Sequence, residues 1–164
     1  LHALDKSYSK VGYPKDGKVG AKRRKGSGHE PYKIIPDVAT VAFYNEFGTK
    51  IIPPRPAMQN AFDSNFRELQ ILRDTLYKRV IDGKINAARA LGLLGEFMAS
   101  KTKRSIRDLR QPPNAPRTIR EKKSDNPLID TAQMIQSVQH EEVLNYVESN
   151  ASGNYQVGIS ADTQ

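Results

Sequence analysis

The sequence predicts an α+β subunit in which two long helices pack on a small antiparallel sheet, built from an N-terminal strand and a C-terminal β-hairpin, with a long basic loop. Three observations lead there. Apolar residues recur at helical spacing over two long stretches, 56–80 and 85–109. From Ser137 onward that spacing gives way to period-two alternation around a turn cluster. Pro- and Gly-rich connectors separate these stretches, and 164 residues suit one domain, 1–164.

Ser7 to Tyr13 alternates weakly and stops at Pro14, before the turn residues Lys15-Asp16-Gly17-Lys18, so it reads as a short strand. Residues 14–33 are rich in Gly, Lys and Arg and contain the run Lys22-Arg23-Arg24-Lys25. They offer no face to bury and are expected to form a flexible basic loop. Asp37 is placed as an N-cap, followed by Val38, Val41, Ala42 and Asn45 at helical spacing, and Gly48 suits the left-handed residue that closes a helix. Ile51-Ile52-Pro53-Pro54-Arg55-Pro56 is a rigid extended connector, because its three prolines fix φ and lack N–H donors.

The first long helix carries Ala57, Ala61, Phe62, Phe66, Leu69, Leu72, Leu76, Tyr77 and Val80 on one stripe, and Asp82-Gly83 breaks it. The second runs from Ile85 to about Leu109 through Ala88, Leu91, Leu94, Gly95, Met98, Thr102 and Ile106. Gln111 to Pro116 stops it, and residues 117–123 form a basic helical turn. Asp130 or Thr131 would cap a short helix reaching to Val138. Val138, His140, Glu142, Leu144 and Tyr146 then alternate, residues 150–154 turn, and residues 155–159 return.

Charge is unevenly spread. The total of +8 divides into +6 over residues 1–36, +1 over 37–100, +7 over 101–123 and −6 over 124–164, where there is no Lys or Arg. Opposite patches are expected to meet, inside the fold or between copies of the chain. The two basic regions also suit phosphates, either nucleic acid or an acidic partner. Zero Cys excludes a disulfide framework, a thiolate–metal site and a cysteine nucleophile. His2, His29 and His140 have no metal-ligand spacing, and Gly83-Lys84 lacks the loop and hydroxyl of a phosphate-binding motif. No nucleophile motif or carboxylate pair stands out, so neither enzyme activity nor a cofactor is expected. No apolar run spans a bilayer, which predicts a soluble protein without membrane partners. Because the first residue is Leu1, the natural chain is expected to begin earlier.

Three segments together resemble one family. Tyr44-Asn45-Glu46-Phe47-Gly48-Thr49, then Ile52-Pro53-Pro54-Arg55-Pro56 and Ala61-Phe62-Asp63, resembles the NEFGT…IPPRPF signature of tailed-bacteriophage neck and tail-completion proteins. Residues 112–119 resemble that family's PPN…P.T segment. Residues 127–134 resemble its PLIDTG.M segment, with Ala132 where Gly is usual. The likeness covers about residues 8–160.

The resemblance implies a structural virion protein, a minor tail component that completes the tail and joins it to the neck as a homo-oligomeric ring, with six copies expected. Its implied partners are other copies, neighbouring neck or connector and tail-tube proteins, and, in passing, genomic DNA; its location would be the virion, after assembly in the host cytoplasm. Closed rings join unlike faces of neighbouring subunits. The expected subunit or partner interface comprises Asn45, Glu46, Phe47, Gly48, Pro53, Pro54, Arg55, Pro56, Asp130 and Thr131. Arg55 is expected to reach a carboxylate or carbonyl bidentately, either across a subunit boundary or, with Glu46, inside its own turn. Lys22, Arg23, Arg24, Lys25, Lys103, Arg104 and Arg107 are the candidate contacts to DNA in a channel or to an acidic partner. Two competing readings are a nucleic-acid-binding module using residues 22–25 and 101–123, and an assembly factor absent from the finished particle.

Overall fold

In the computed structural model of the chain, residues 7–14, 37–129, 132–149 and 155–161 are described. They form β1 (Tyr8–Gly12), α1 (Val38–Phe47), α2 (Ala57–Ile81), α3 (Ala87–Asp108), α4 (Pro116–Lys122), α5 (Gln133–Gln136), β2 (Gln139–Ser149) and β3 (Tyr155–Ala161). The architecture is α+β, with an antiparallel sheet ordered β1-β2-β3. The basic loop expected over residues 14–33 lies, from residue 15 onward, outside the described residues, as does the hairpin turn at 150–154.

The helix ends follow local chemistry. Asp37 Oδ1 accepts from Thr40 N at 2.6 Å and caps α1, as its position predicted. α2 closes at Gly83, whose φ of 70° places it in the left-handed region. Gly83 N donates to Val80 O at 3.0 Å and Lys84 N to Arg79 O at 2.9 Å, the paired bonds of a Schellman ending. α3 starts two residues later than the periodicity suggested, because Asn86 Oδ1 accepts from Arg89 N at 2.8 Å and acts as its cap. For α5 the expected cap is corrected. The residue before the helix is Ala132, in the left-handed region at φ 60° and without a side-chain cap bond; Thr131 and Asp130 lie one and two positions further out, outside the described residues, and the helix ends at Gln136 instead of reaching Val138. A left-handed Ala costs roughly 1–2 kcal/mol relative to a right-handed one. That is a physical reason for Gly to be usual in the segment it resembles.

The chain divides into two compact units, one containing Leu1–Gly12, Ala61–Thr102 and Gln139–Gln164, the other Tyr13–Asn60 and Lys103–Val138. In the first unit β1 pairs antiparallel with β2 from Tyr8↔Val143 to Gly12↔Gln139. β2 pairs with β3 from Val143↔Ala161 to Ser149↔Tyr155. Lys10 stands directly across from Glu141 and its Nζ meets Oε2 at 2.9 Å. Part of the charge polarity in the sequence is thus neutralised inside the sheet.

The same unit brings α3 onto that sheet through glycine. A methyl group at Gly95 would collide with Ser9 Oγ and would stand 2.7 Å from His140 Cδ2 and 2.9 Å from His140 Cβ. At Gly92 it would meet only the Glu142 carboxylate, at 2.9 Å from Oε1. His140 is therefore a packing residue, with its Nε2 3.3 Å from Glu142 Oε1. Glu142 faces the helix, not an exposed turn. Among the described residues, the buried apolar side chains of this unit are Ala61, Leu76, Ala90, Ala99 and Val143. Of the stripe read on α2, Ala57, Ala61 and Leu76 are buried and Leu69, Leu72 and Val80 half-buried, while Phe62, Phe66 and Tyr77 are exposed.

The two glycines give a paired expectation. Gly95→Ala gains helix propensity of about 1 kcal/mol but overpacks a site whose neighbours include a Cβ, which costs about 1–3 kcal/mol. Urea unfolding is expected to show a net loss for Gly95→Ala. Gly92→Ala, facing only a movable carboxylate, is expected to be neutral or stabilising.

Candidate functional site

The second unit contains the proline arm and the 112–119 segment singled out in the sequence, and its geometry begins at the end of α1. Gly48 has φ 75° and ψ 177°, a conformation open essentially only to glycine. A Cβ there would stand 2.9 Å from Ile52 O and 3.0 Å from Pro54 N, so the chain turns back against its own backbone. Thr49 N donates to Ile52 O at 2.8 Å, Thr49 Oγ1 accepts from Ile52 N at 3.0 Å, and Arg55 N donates to Asn45 O at 2.6 Å. Asn45 also holds Val41 O through Nδ2 at 2.8 Å. The proline arm is fastened to α1 along its length.

α2 then starts without a Ser, Thr, Asp or Asn before it, because residues 53–56 are Pro-Pro-Arg-Pro. Glu46 supplies the missing cap from the neighbouring helix. Its Oε2 accepts from Met58 N at 3.0 Å and its Oε1 from Gln59 N at 2.8 Å. Two orphan amides are satisfied and a negative charge sits at the positive end of α2.

Arg55 is buried, only 6% exposed. Its Nε donates to Pro112 O at 2.9 Å, and its Nη2 donates to Pro113 O and to Asn114 Oδ1, each at 3.2 Å. Successive prolines contribute carbonyl acceptors and no N–H donors, so this loop is rich in unmatched oxygens. A guanidinium carries donors only, in a planar fork, and answers that deficit. Burial lowers the Arg55 pKa. Of the two readings of Arg55 in the sequence, its side chain is occupied by carbonyls of its own chain.

Two further residues complete the corner. Asn126, also buried, donates through Nδ2 to Arg107 O at 2.7 Å and Ile106 O at 3.3 Å, closing the last turn of α3. Its Oδ1 accepts from Leu128 N at 2.9 Å and Ile129 N at 3.0 Å. Tyr13 is pushed up to about 12, first by burial and then by the charge of Glu46. Neither role is visible in sequence spacing, because each depends on a partner remote along the chain.

What the site exposes is aromatic. α1 buries Val38 and Ala42, while Phe43, Tyr44 and Phe47 face outward. The Phe43 ring lies 4.8 Å from that of Phe47 and 6.2 Å from that of Tyr44. Phe47 is 67% exposed and Ile51, just beyond, is 90% exposed. The one ionic residue of α1, Glu46, is half-buried and engaged with α2. Pro53 and Pro54 are exposed and Pro56 is half-buried, its carbonyl accepting from Asn60 N at 3.0 Å. Sequence reading named Phe47 here and missed Phe43, Tyr44 and Ile51; the i, i+4 spacing of the two phenylalanines was the available signal.

Of the candidate cations, Lys103 is half-buried, Arg107 is exposed, and Arg104 Nε meets Asp108 Oδ2 at 3.4 Å. Lys22, Arg23, Arg24, Lys25, Asp130 and Thr131 lie outside the described residues. Among the described residues no group of three or more His, Asp or Glu could hold a metal ion. No known family, curated protein or solved structure matches the chain.

Two expectations test this corner. Arg55→Ala strands buried oxygens and is expected to lower the unfolding free energy by about 3 kcal/mol. Arg55→Lys, lacking the fork, should recover less than half of it, as measured by denaturant unfolding. Tyr13 binds its proton more tightly folded than unfolded, so its contribution is intact below pH 10 and lost as pH rises towards about 12. Tyr13→Phe should flatten the loss of stability in that window.

Proposed function

We propose that the chain is a non-enzymatic structural protein of the tailed-phage head–tail interface, which completes the tail and joins it to the neck as a ring of identical copies. The observation that carries the reading is the inverted polarity of α1, which turns three aromatic rings outward and its carboxylate inward. A monomer gains nothing from that arrangement, because exposed aromatic area is the principal currency of protein association.

A second, unlike apolar surface supports a ring. On α2 the rings of Phe62 and Phe66 lie 5.5 Å apart and exposed, with Ile71 exposed further along the helix. Heterologous contacts, which close into rings, need two different faces on each subunit. Of the segments that resemble neck and tail-completion proteins, residues 44–56, 112–119 and 127–134 belong to one compact unit, where Arg55 joins the first to the second. No helix among the described residues is long and apolar enough to cross a membrane.

Native mass spectrometry and electron microscopy of the purified chain are expected to show closed rings, with six copies the expected number. Phe43→Ser combined with Phe47→Ser should yield monomers with unchanged helix content, since Val38 and Ala42 still hold α1. A wild-type chain that stays monomeric at every attainable concentration would overturn the ring. Its absence from purified phage particles would point instead to an assembly factor.

A further inference from the structure

α3 and α4 end at the same place. Asn126 reaches back to the carbonyls of Ile106 and Arg107 in the last turn of α3. Lys122, the last residue of α4, donates to Asn126 O at 3.4 Å and to Pro127 O at 3.2 Å. The cations that the sequence spreads over 103–123 thereby belong to two neighbouring helix ends of one compact unit.

Helix-dipole chemistry accounts for some of them. Arg110 Nη1 donates to Arg107 O at 2.6 Å and to Leu109 O at 3.0 Å, and Lys122 serves the carbonyls after α4. Arg104 and Arg117 are taken by Asp108 and Glu121, at 3.4 Å and 3.0 Å, within their own helices. Lys103, Arg107, Arg120 and Lys123 have no ion-pair partner among the described residues, and the last three are exposed. Among the described residues the side chains of these four make no bond to the helix ends, although the Lys123 backbone N–H closes α4 on Ile119 O at 2.9 Å.

We propose that this corner binds the phosphate backbone of duplex DNA without reading sequence, an inference that stands apart from the ring. Residues 103–138 contain no aromatic side chain, so the segments that carry these cations offer no platform of their own for stacking the bases of a single strand. An acidic segment of a second copy is the competing occupant; in it Glu141 is already paired with Lys10, and Glu142 Oε1 lies 3.3 Å from His140 Nε2 in the same sheet. Asp108 and Glu121 adjoin Arg107 and Arg120 in sequence but face Arg104 and Arg117, and Asp125 is exposed two residues beyond Lys123.

The test is fluorescence anisotropy of the full chain with a labelled duplex of random sequence. Four phosphate contacts give a log–log salt slope of about −3 to −4 per subunit, so raising salt from about 50 to about 200 mM should weaken binding by roughly 100-fold. Replacing Lys103, Arg107, Arg120 and Lys123 by Ala should abolish most of the binding and flatten the slope. The milder pair Arg107→Ala and Arg120→Ala, checked for native helix content, should reduce the slope by about 2. Lys78→Ala with Arg79→Ala, at the end of α2, should change nothing. Absence of binding at low salt, unchanged binding by the fourfold variant, or competition by polyglutamate as effective as by DNA would each overturn the proposal.

Discussion

A buried guanidinium held by neutral oxygens organises the second unit. Arg55 fills the donor deficit of the 112–114 loop, and its own amide is fixed on Asn45 O. A segment following α1 and a loop following α3 are thus joined across 57 residues of sequence by one side chain. The surrounding features prepare that contact. Gly48 permits the reversal, the prolines keep the arm extended at little entropic cost, and Glu46 starts α2 where no local cap exists. Because Arg55 is buried and its partners are fixed backbone groups, the arm has a single orientation to present outward.

The consequence is a division of labour between polar and apolar residues that reverses the usual surface. Ionic and amide side chains, Glu46, Arg55 and Asn126, do the internal joining, while Phe43, Tyr44, Phe47 and Ile51 face out. Among the described residues the largest fully buried side chains are Ile106, Val38 and Val138, while larger ones such as Phe43, Phe47, Phe62 and Phe66 are exposed. The charge pattern separates in the same way. One oppositely charged pair, Lys10 and Glu141, closes inside the sheet, whereas four cations at the ends of α3 and α4 keep their charge for something else.

Much of the fold was legible because its signals are local. Asp37 before an apolar repeat, Gly48 after it, Asp82-Gly83 between two long repeats, and the change to period two after Ser137 each place a boundary through the conformational preference of a few adjacent residues. The misplacements were local too. Asn86 was absorbed into the helix it caps, and a cap was assigned to Asp130 or Thr131 although the chain enters α5 through a left-handed Ala132. The candidate site was legible as a list of residues but not as a mechanism. Glu46 and Arg55 stand out only through the motif that carries the family resemblance, and whether they face inward or outward depends on groups 12 to 59 residues away.

The sequence by itself determined the α+β class, the order of the elements, the stiffness of the proline arm and the segregation of charge, since turns, caps and periodicity act over a few residues. Only the tertiary structure decided which residues are spent on holding the subunit together and which are left for partners. Gly95 became the seat of His140, Asn126 the clasp on α3, and the aromatic residues of α1 its outer face. Burial and hydrogen-bond satisfaction are properties of neighbours in space, and one-dimensional spacing does not contain them.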